Sequence, residues 1–123
     1  MCALPKRVKV GGSYYKGHIL VVGSDTGDYT LDMVMTVACV VNGVTVIPDA
    51  YGAGDYFKLE HLDANDKVVA TLAETVYNIG ASAAWQFDFA ALEKMEANHK
   101  FRLTYTNVAG TAMNVYTNVE RIR

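Results

Sequence analysis

The chain has few of the residues that perform chemistry in small proteins. It has two cysteines in 123 residues, Cys2 and Cys39, with no C-x-x-C spacing. Its three histidines, His18, His61 and His99, fall on different predicted elements and form neither H-x-H nor H-E-x-x-H, so a zinc centre has no support. Ser13, Ser24 and Ser82 all lie outside a G-x-S-x-G turn, which removes the usual setting for a serine nucleophile. Gly52-Ala53-Gly54 runs into Tyr56 and Phe57, not into a helix, so a phosphate cradle lacks its third glycine and its helix N-terminus. Asp63-Ala64-Asn65-Asp66 opens like a calcium loop, but Val68 stands where glycine is needed and Lys67 where a ligand is needed. That segment reads as a hairpin turn. The GSDTGD stretch, with Asp25 and Asp28, offers at most a surface cation contact. No catalytic residue, metal ligand or cofactor site is assigned, and the chain is read as non-enzymatic.

Other scarcities bound the class. There are two prolines, one tryptophan and no apolar run of membrane-spanning length; Asp32 interrupts the longest one. Met1 to Val10 lacks the hydrophobic region of a signal peptide. Nothing in the sequence fixes a Cys2–Cys39 distance, so Cys39 reads as a small buried hydrophobe and the compartment as reducing. Net charge is −2 but uneven: the first sixteen residues carry Lys6, Arg7, Lys9 and Lys16 without an acid. A basic arm on an acidic body suits a tail that docks on an acidic neighbour, the alternative being a solvated terminus; nucleic acid is a poor partner for the acidic body, and only the arm has the charge for it.

What is present points to β structure. Apolar residues make up 51% and charged residues 20% of the chain, as in an ordinary globular domain. Eight tyrosines and many valines and threonines favour strands. The length fits one domain: an extended arm over residues 1–12, then a single domain over 13–123. The stretch Tyr29 to Pro48 is the most apolar. Its Asn42-Gly43 pair, set between β-branched residues, predicts a two-residue hairpin with Val41 facing Val44, Cys39 facing Val46, and a buried Val37 facing Pro48. Further strands are predicted at Lys6 to Val10, Ser13 to Val22 (with Gly17 at a bulge), Tyr56 to Leu62, Lys67 to Tyr77, Ala84 to Phe89, Lys100 to Val108 and Met113 to Arg121, the last pairing back on its predecessor. Ala90 to Asn98 carries the one helix signal, with Asp88 as cap and Leu92 and Met95 on one face. The expected fold is an all-β antiparallel sandwich, jelly-roll or immunoglobulin-like in connection, with one short helix.

Gly54-Asp55-Tyr56-Phe57-Lys58-Leu59-Glu60, Asp63 to Val69, Trp85-Gln86-Phe87-Asp88-Phe89 and Lys100-Phe101-Arg102-Leu103-Thr104-Tyr105 together resemble small virion proteins of tailed bacteriophages, in particular the β-sandwich decoration or cement proteins of capsids. That resemblance implies a structural protein of the virion, assembled in the host cytoplasm. It would form homo-oligomers and bind the major capsid protein or other virion subunits, with no nucleic-acid or membrane partner. The candidate partner-binding residues are Lys6, Arg7 and Lys9 of the arm with Tyr14, Tyr15 and Tyr51. The competing expectation is a carbohydrate-binding or adhesion module using Trp85 or the loop tyrosines, although Trp85, Phe87 and Phe89 also suit a core.

Overall fold

The computed structural model describes residues 7–10, 13–76 and 85–122, with side chains over 17–74 and 93–122. Nine strands account for nearly all of them: β1 (Arg7–Val10), β2 (Ser13–Val22), β3 (Gly27–Val34), β4 (Cys39–Pro48), β5 (Tyr56–Leu62), β6 (Val68–Val76), β7 (Trp85–Met95), β8 (Lys100–Asn107) and β9 (Met113–Arg121). They form two antiparallel sheets. Sheet I has the order β1-β2-β9-β4-β7 and sheet II the order β3-β8-β5-β6. Leu20, Val22, Val41, Val44, Val46, Val115 and Val119 from sheet I share one core with Met33, Phe57, Leu59, Phe101, Leu103 and Tyr105 from sheet II. Burying each of the larger side chains contributes roughly 2 kcal/mol.

Where alternation in the sequence is strict, it sets the faces directly. In β8, Phe101, Leu103 and Tyr105 are fully buried while Arg102, Thr104 and Thr106 line the outside. In β5, Phe57 and Leu59 point in, and in β9 so do Met113, Val115, Thr117 and Val119. Cys39 is buried with a free thiol, as expected. Asp63 to Asp66 is a turn: the Asp63 carboxylate accepts from the N–H groups of Asn65 and Lys67, and Asp66 takes φ 64°.

The Asn42-Gly43 hairpin does not form. Tyr29 to Pro48 is not one ribbon folded on itself. It is β3 in sheet II, a turn over 35–38, and β4 in sheet I. Val37 lies in that turn and is 54% exposed, not buried against Pro48. Neither Asn42 nor Gly43 takes the positive φ a type I′ turn requires; Asp66, Asn98, Gly27, Gly54 and Gly110 do. β4 instead runs straight between β7 and β9, and both registers slip at Asn42. Against β9, Asn42 is one extra residue, a β-bulge. The bulge reverses the phase of burial, so that Cys39 and Val41 before it and Val44 and Val46 after it all face the core. The β-branched residues that look like two arms of a hairpin are thus one central strand, hydrogen-bonded on both sides.

The Ala90 to Asn98 helix is absent too; those residues continue β7 and then turn. Asp88, expected as the cap, pairs with Gly43. Asn98, expected as the helix end, is the left-handed residue of the β7–β8 turn, and its N–H donates to the Met35 carbonyl. Between Asp88 and Glu93, β7 advances five residues while β4 advances two, and this local excess looks helical in sequence. The open side of β4 needs a strand, and that tertiary demand overrides helix propensity.

Three smaller expectations are also corrected. Gly17 sits at no bulge, since β2 and β9 pair without a register break through it. A Cβ at Gly17 would stand 3.0 Å from the Asn118 amide oxygen, which explains the glycine. β9 does not pair with β8; the connection crosses to sheet I, where β9 lies between β2 and β4. In β6, Val69, Thr71 and Ala73, which unbroken alternation over Lys67 to Tyr77 would put on one face, are separated by register shifts that leave Val69 and Thr71 exposed while Ala73 packs on the core.

Candidate functional site

Six of the connections between β2 and β9 cross from one sheet to the other; the exception is the β5–β6 hairpin. The turns therefore gather at two ends, and three regions stand out: the outer face of each sheet and one inter-sheet cluster.

The outer face of sheet I is apolar along one row. Ile19 of β2, Tyr116 of β9 and Ile47 of β4 are in register across three strands, with Val21 two residues along β2. Ile19 is 55% and Val21 69% exposed, and Tyr116 40%. The alternation that buries Leu20 and Val22 forces their neighbours outward, and here those neighbours are aliphatic instead of polar.

The outer face of sheet II is polar. Arg102 clasps Asp32 through two hydrogen bonds of 2.7 and 2.9 Å. Lys100 pairs with Asp66 and lies 3.9 Å from Asp32. Asp32 sits below the ordinary carboxylate value of 3.8, first because Arg102 donates to it; partial burial opposes this, and the charges of Arg102 and Lys100 add to it. Asp63 is lowered as well, first by the N–H of Lys67, then by that of Asn65. Beside this network a groove of about 520 Å³ is lined by Asp28, Tyr56, Lys58, Glu74, Thr104 and Thr106.

The third region ties the sheets together. His61, 2% exposed, lies 2.6 Å through Nδ1 from Glu93 of β7 and 2.9 Å through Nε2 from Nδ1 of His99. Glu93 belongs to sheet I and His61 to sheet II. The three groups form a chain instead of converging on a point, and no group of three potential metal ligands occurs among the described residues. A one-dimensional spacing rule cannot find this cluster, because the packing of one sheet on the other and the β7–β8 turn bring together residues up to 38 positions apart.

The six residues proposed from sequence divide. Arg7 and Lys9 lie on β1, and Lys9 is in register with Tyr14 and Arg7 with Lys16. Tyr14 and Tyr15 pair onward with Arg121 and Glu120. Tyr51 lies in the β4–β5 loop, 40% exposed, past Pro48, which pairs with Val115. At a strand rise of about 3.3 Å per residue, the Arg121 and Val115 rows are about 20 Å apart. Arg7 and Lys9 on the edge strand β1 thus lie beside Tyr14 and Tyr15 on β2, and Tyr51 belongs to the far end. Lys6, Gly11 and Gly12 are outside the described residues, as is the side chain of Trp85, whose backbone pairs with that of buried Val46. Sequence reading missed the Ile19–Tyr116–Ile47 row. Its signal was Ile19-Leu20-Val21-Val22 itself, a run apolar on both faces.

No protein-family model matches the chain, and no curated protein matches it. Solved structures do. The SPBc2 prophage-derived protein YomS matches with a TM-score of 0.54 at 13% identity, over 92% of this chain and 96% of that one. An arabinose-bound α-L-arabinofuranosidase, MgGH51, matches with a TM-score of 0.52 at 10% identity, over 89% of this chain but 19% of the enzyme. These likenesses establish a shared all-β fold, and the first extends over nearly the whole of both chains.

Proposed function

We propose that this is a non-enzymatic structural protein of a phage virion, of the capsid decoration or cement type, located in the particle. Its partners would be the major capsid protein or other virion subunits, together with further copies of itself. The observation that carries the reading is the exposed row of Ile19, Val21 and Tyr116 on the outer face of sheet I. Such a patch suits burial against another subunit, and stable contacts of this kind remove on the order of 1,600 Å² from water. The strand β1, which carries Arg7 and Lys9, forms the edge of the same sheet. The likeness to a prophage-derived protein supports a phage setting. The strand orders β2-β9-β4-β7 and β3-β8-β5-β6, with β5–β6 the single hairpin in the two sets together, support a jelly-roll connection, an architecture used by viral capsid proteins.

The test is the double substitution Ile19→Asp with Val21→Asp. Both side chains are exposed, so the domain should fold with an unchanged melting temperature. Self-association, measured by sedimentation velocity, and incorporation into particles, measured by mass spectrometry of purified virions, should both be lost. A folded double variant that assembles like the parent would refute the assembly reading.

A further inference from the structure

We infer that the groove on the outer face of sheet II is a binding site for a neutral oligosaccharide, independent of the assembly face on sheet I. Two adjacent rows of the sheet build it. One runs Asp28, Thr106 and Tyr56; the other runs Thr104, Lys58 and Glu74. Strands are about 4.8 Å apart, so the span from Asp28 on β3 to Glu74 on β6 is about 14 Å, room for a short sugar chain and too wide for one small ion. The lining carries carboxylates at both ends, two threonine hydroxyls and an ammonium between them, and a tyrosine ring 46% exposed at one side.

The chemistry of the lining selects among ligands. An anion meets two carboxylates against one ammonium, and Lys58 is already 3.7 Å from Glu60. An apolar ligand finds the Tyr56 ring and part of Phe57, but it would also cover two carboxylates and an ammonium and strip them of water without replacing their hydrogen bonds. A single metal ion would need ligands that converge, and no such group occurs among the described residues. A neutral sugar meets each of these groups on its own terms. Its hydroxyls donate to Asp28 and Glu74, accept from Lys58, exchange both ways with Thr104, and donate to Thr106, whose own proton is held by Asp28. The C–H face of its ring lies on Tyr56. Only Asp28 and Thr106 bond each other within the lining, at 2.6 Å, and they fix the β3 wall. The side chains of Tyr56, Thr104 and Glu74 make no hydrogen bond among the described residues and face the groove ready for a ligand.

The experiment is isothermal titration of the full chain with cellotriose, maltotriose, xylotriose, mannotriose and N-acetylchitotriose at millimolar concentration, with tri-galacturonate as the acidic control. At least one neutral trisaccharide should bind saturably and tri-galacturonate should not. Tyr56→Ala should weaken that binding tenfold or more, and Glu74→Gln by several-fold; both positions are exposed, so both variants should keep the parent melting temperature. The Ile19→Asp, Val21→Asp variant should bind sugar like the parent, which separates this site from the assembly face. No saturable binding by any of the five, binding unaffected by Tyr56→Ala and Glu74→Gln, or a preference for the acidic sugar would each overturn the inference.

Discussion

Asp55 is completely buried, and its charge is compensated by three donors. The Tyr105 hydroxyl donates to Oδ2 at 2.7 Å, and the N–H groups of Val108 and Ala109 donate to Oδ1 at 2.7 and 3.0 Å. One carboxylate thus anchors the β4–β5 loop to the β8–β9 loop. Asn107, equally buried, extends the anchor: its amide donates to the carbonyls of Gly23 and Asp25 and accepts from the Gly110 N–H. Gly52 belongs to the same device, since a Cβ there would stand 2.0 Å from the Asp55 carboxylate. Removing a charged acceptor while its donors stay buried is among the costlier single changes. Asp55→Ala should therefore cost roughly 3 kcal/mol or more in urea unfolding, and Tyr105→Phe only about 1 kcal/mol, because one donor is lost without stranding the carboxylate. Equal losses in the two variants would show that the backbone donors add nothing. In sequence the segment is merely a glycine-rich loop ending in an acid, because its donors lie 50 or more residues away.

At the scale of elements, β4 decides the architecture. Val41 and Val44 both point inward although they are three residues apart, which is possible only because Asn42 is an extra residue against β9. Strands have a side-chain period of two, so losing that residue moves one half of β4 to the wrong face. Deleting Asn42 should leave no soluble folded protein, whereas Asn42→Ser, which keeps the count, should lose no more than about 1 kcal/mol in thermal unfolding. A well-folded deletion variant would mean that register, not residue number, absorbs the bulge. β8 and β9 were legible in sequence because each alternates without interruption and needs no knowledge of its partner. β4 and β7 were not. The Asn-Gly dipeptide and the Ala-Ala-Leu-Glu stretch are local signals for a hairpin and a helix, and both lie where registers slip between neighbouring strands. The His61–Glu93 bond joins the sheets at this same level of organisation.

At the scale of the whole molecule, Asp32 on the outer face of sheet II and Asp63 in the β5–β6 turn both contribute to the acid response. Asp32 and Asp63 have folded values below their ordinary 3.8. The folded state therefore binds fewer protons than the unfolded one around that pH, and stability rises with pH there. The contribution is complete above the unfolded value and is lost as pH falls through the folded values. Chemical unfolding followed from pH 7 to pH 2 should show stability declining below about pH 4. Arg102→Gln should cost no more than about 1 kcal/mol at neutral pH, since its pair with Asp32 is open to solvent, and should make the acid decline shallower. An unchanged acid slope in Arg102→Gln would place the response elsewhere.

The sequence by itself determined that this chain is built of strands, which residues of β5, β8 and β9 form the core, and that Asp63 to Asp66 turns the chain. Those properties follow from alternation and short-range hydrogen bonding, which operate within a few residues. The tertiary structure alone decided that β4 is one central strand, that Val37 is exposed, that Ala90 to Met95 is extended, and that the basic edge and Tyr51 lie at opposite ends. It also decided which leftover faces meet solvent as an apolar row and a polar groove. The physical reason is that a strand's partners, unlike its own period, are chosen by the rest of the chain: a backbone left unpaired in the middle of a sheet costs more than any local preference for a turn or a helix can repay.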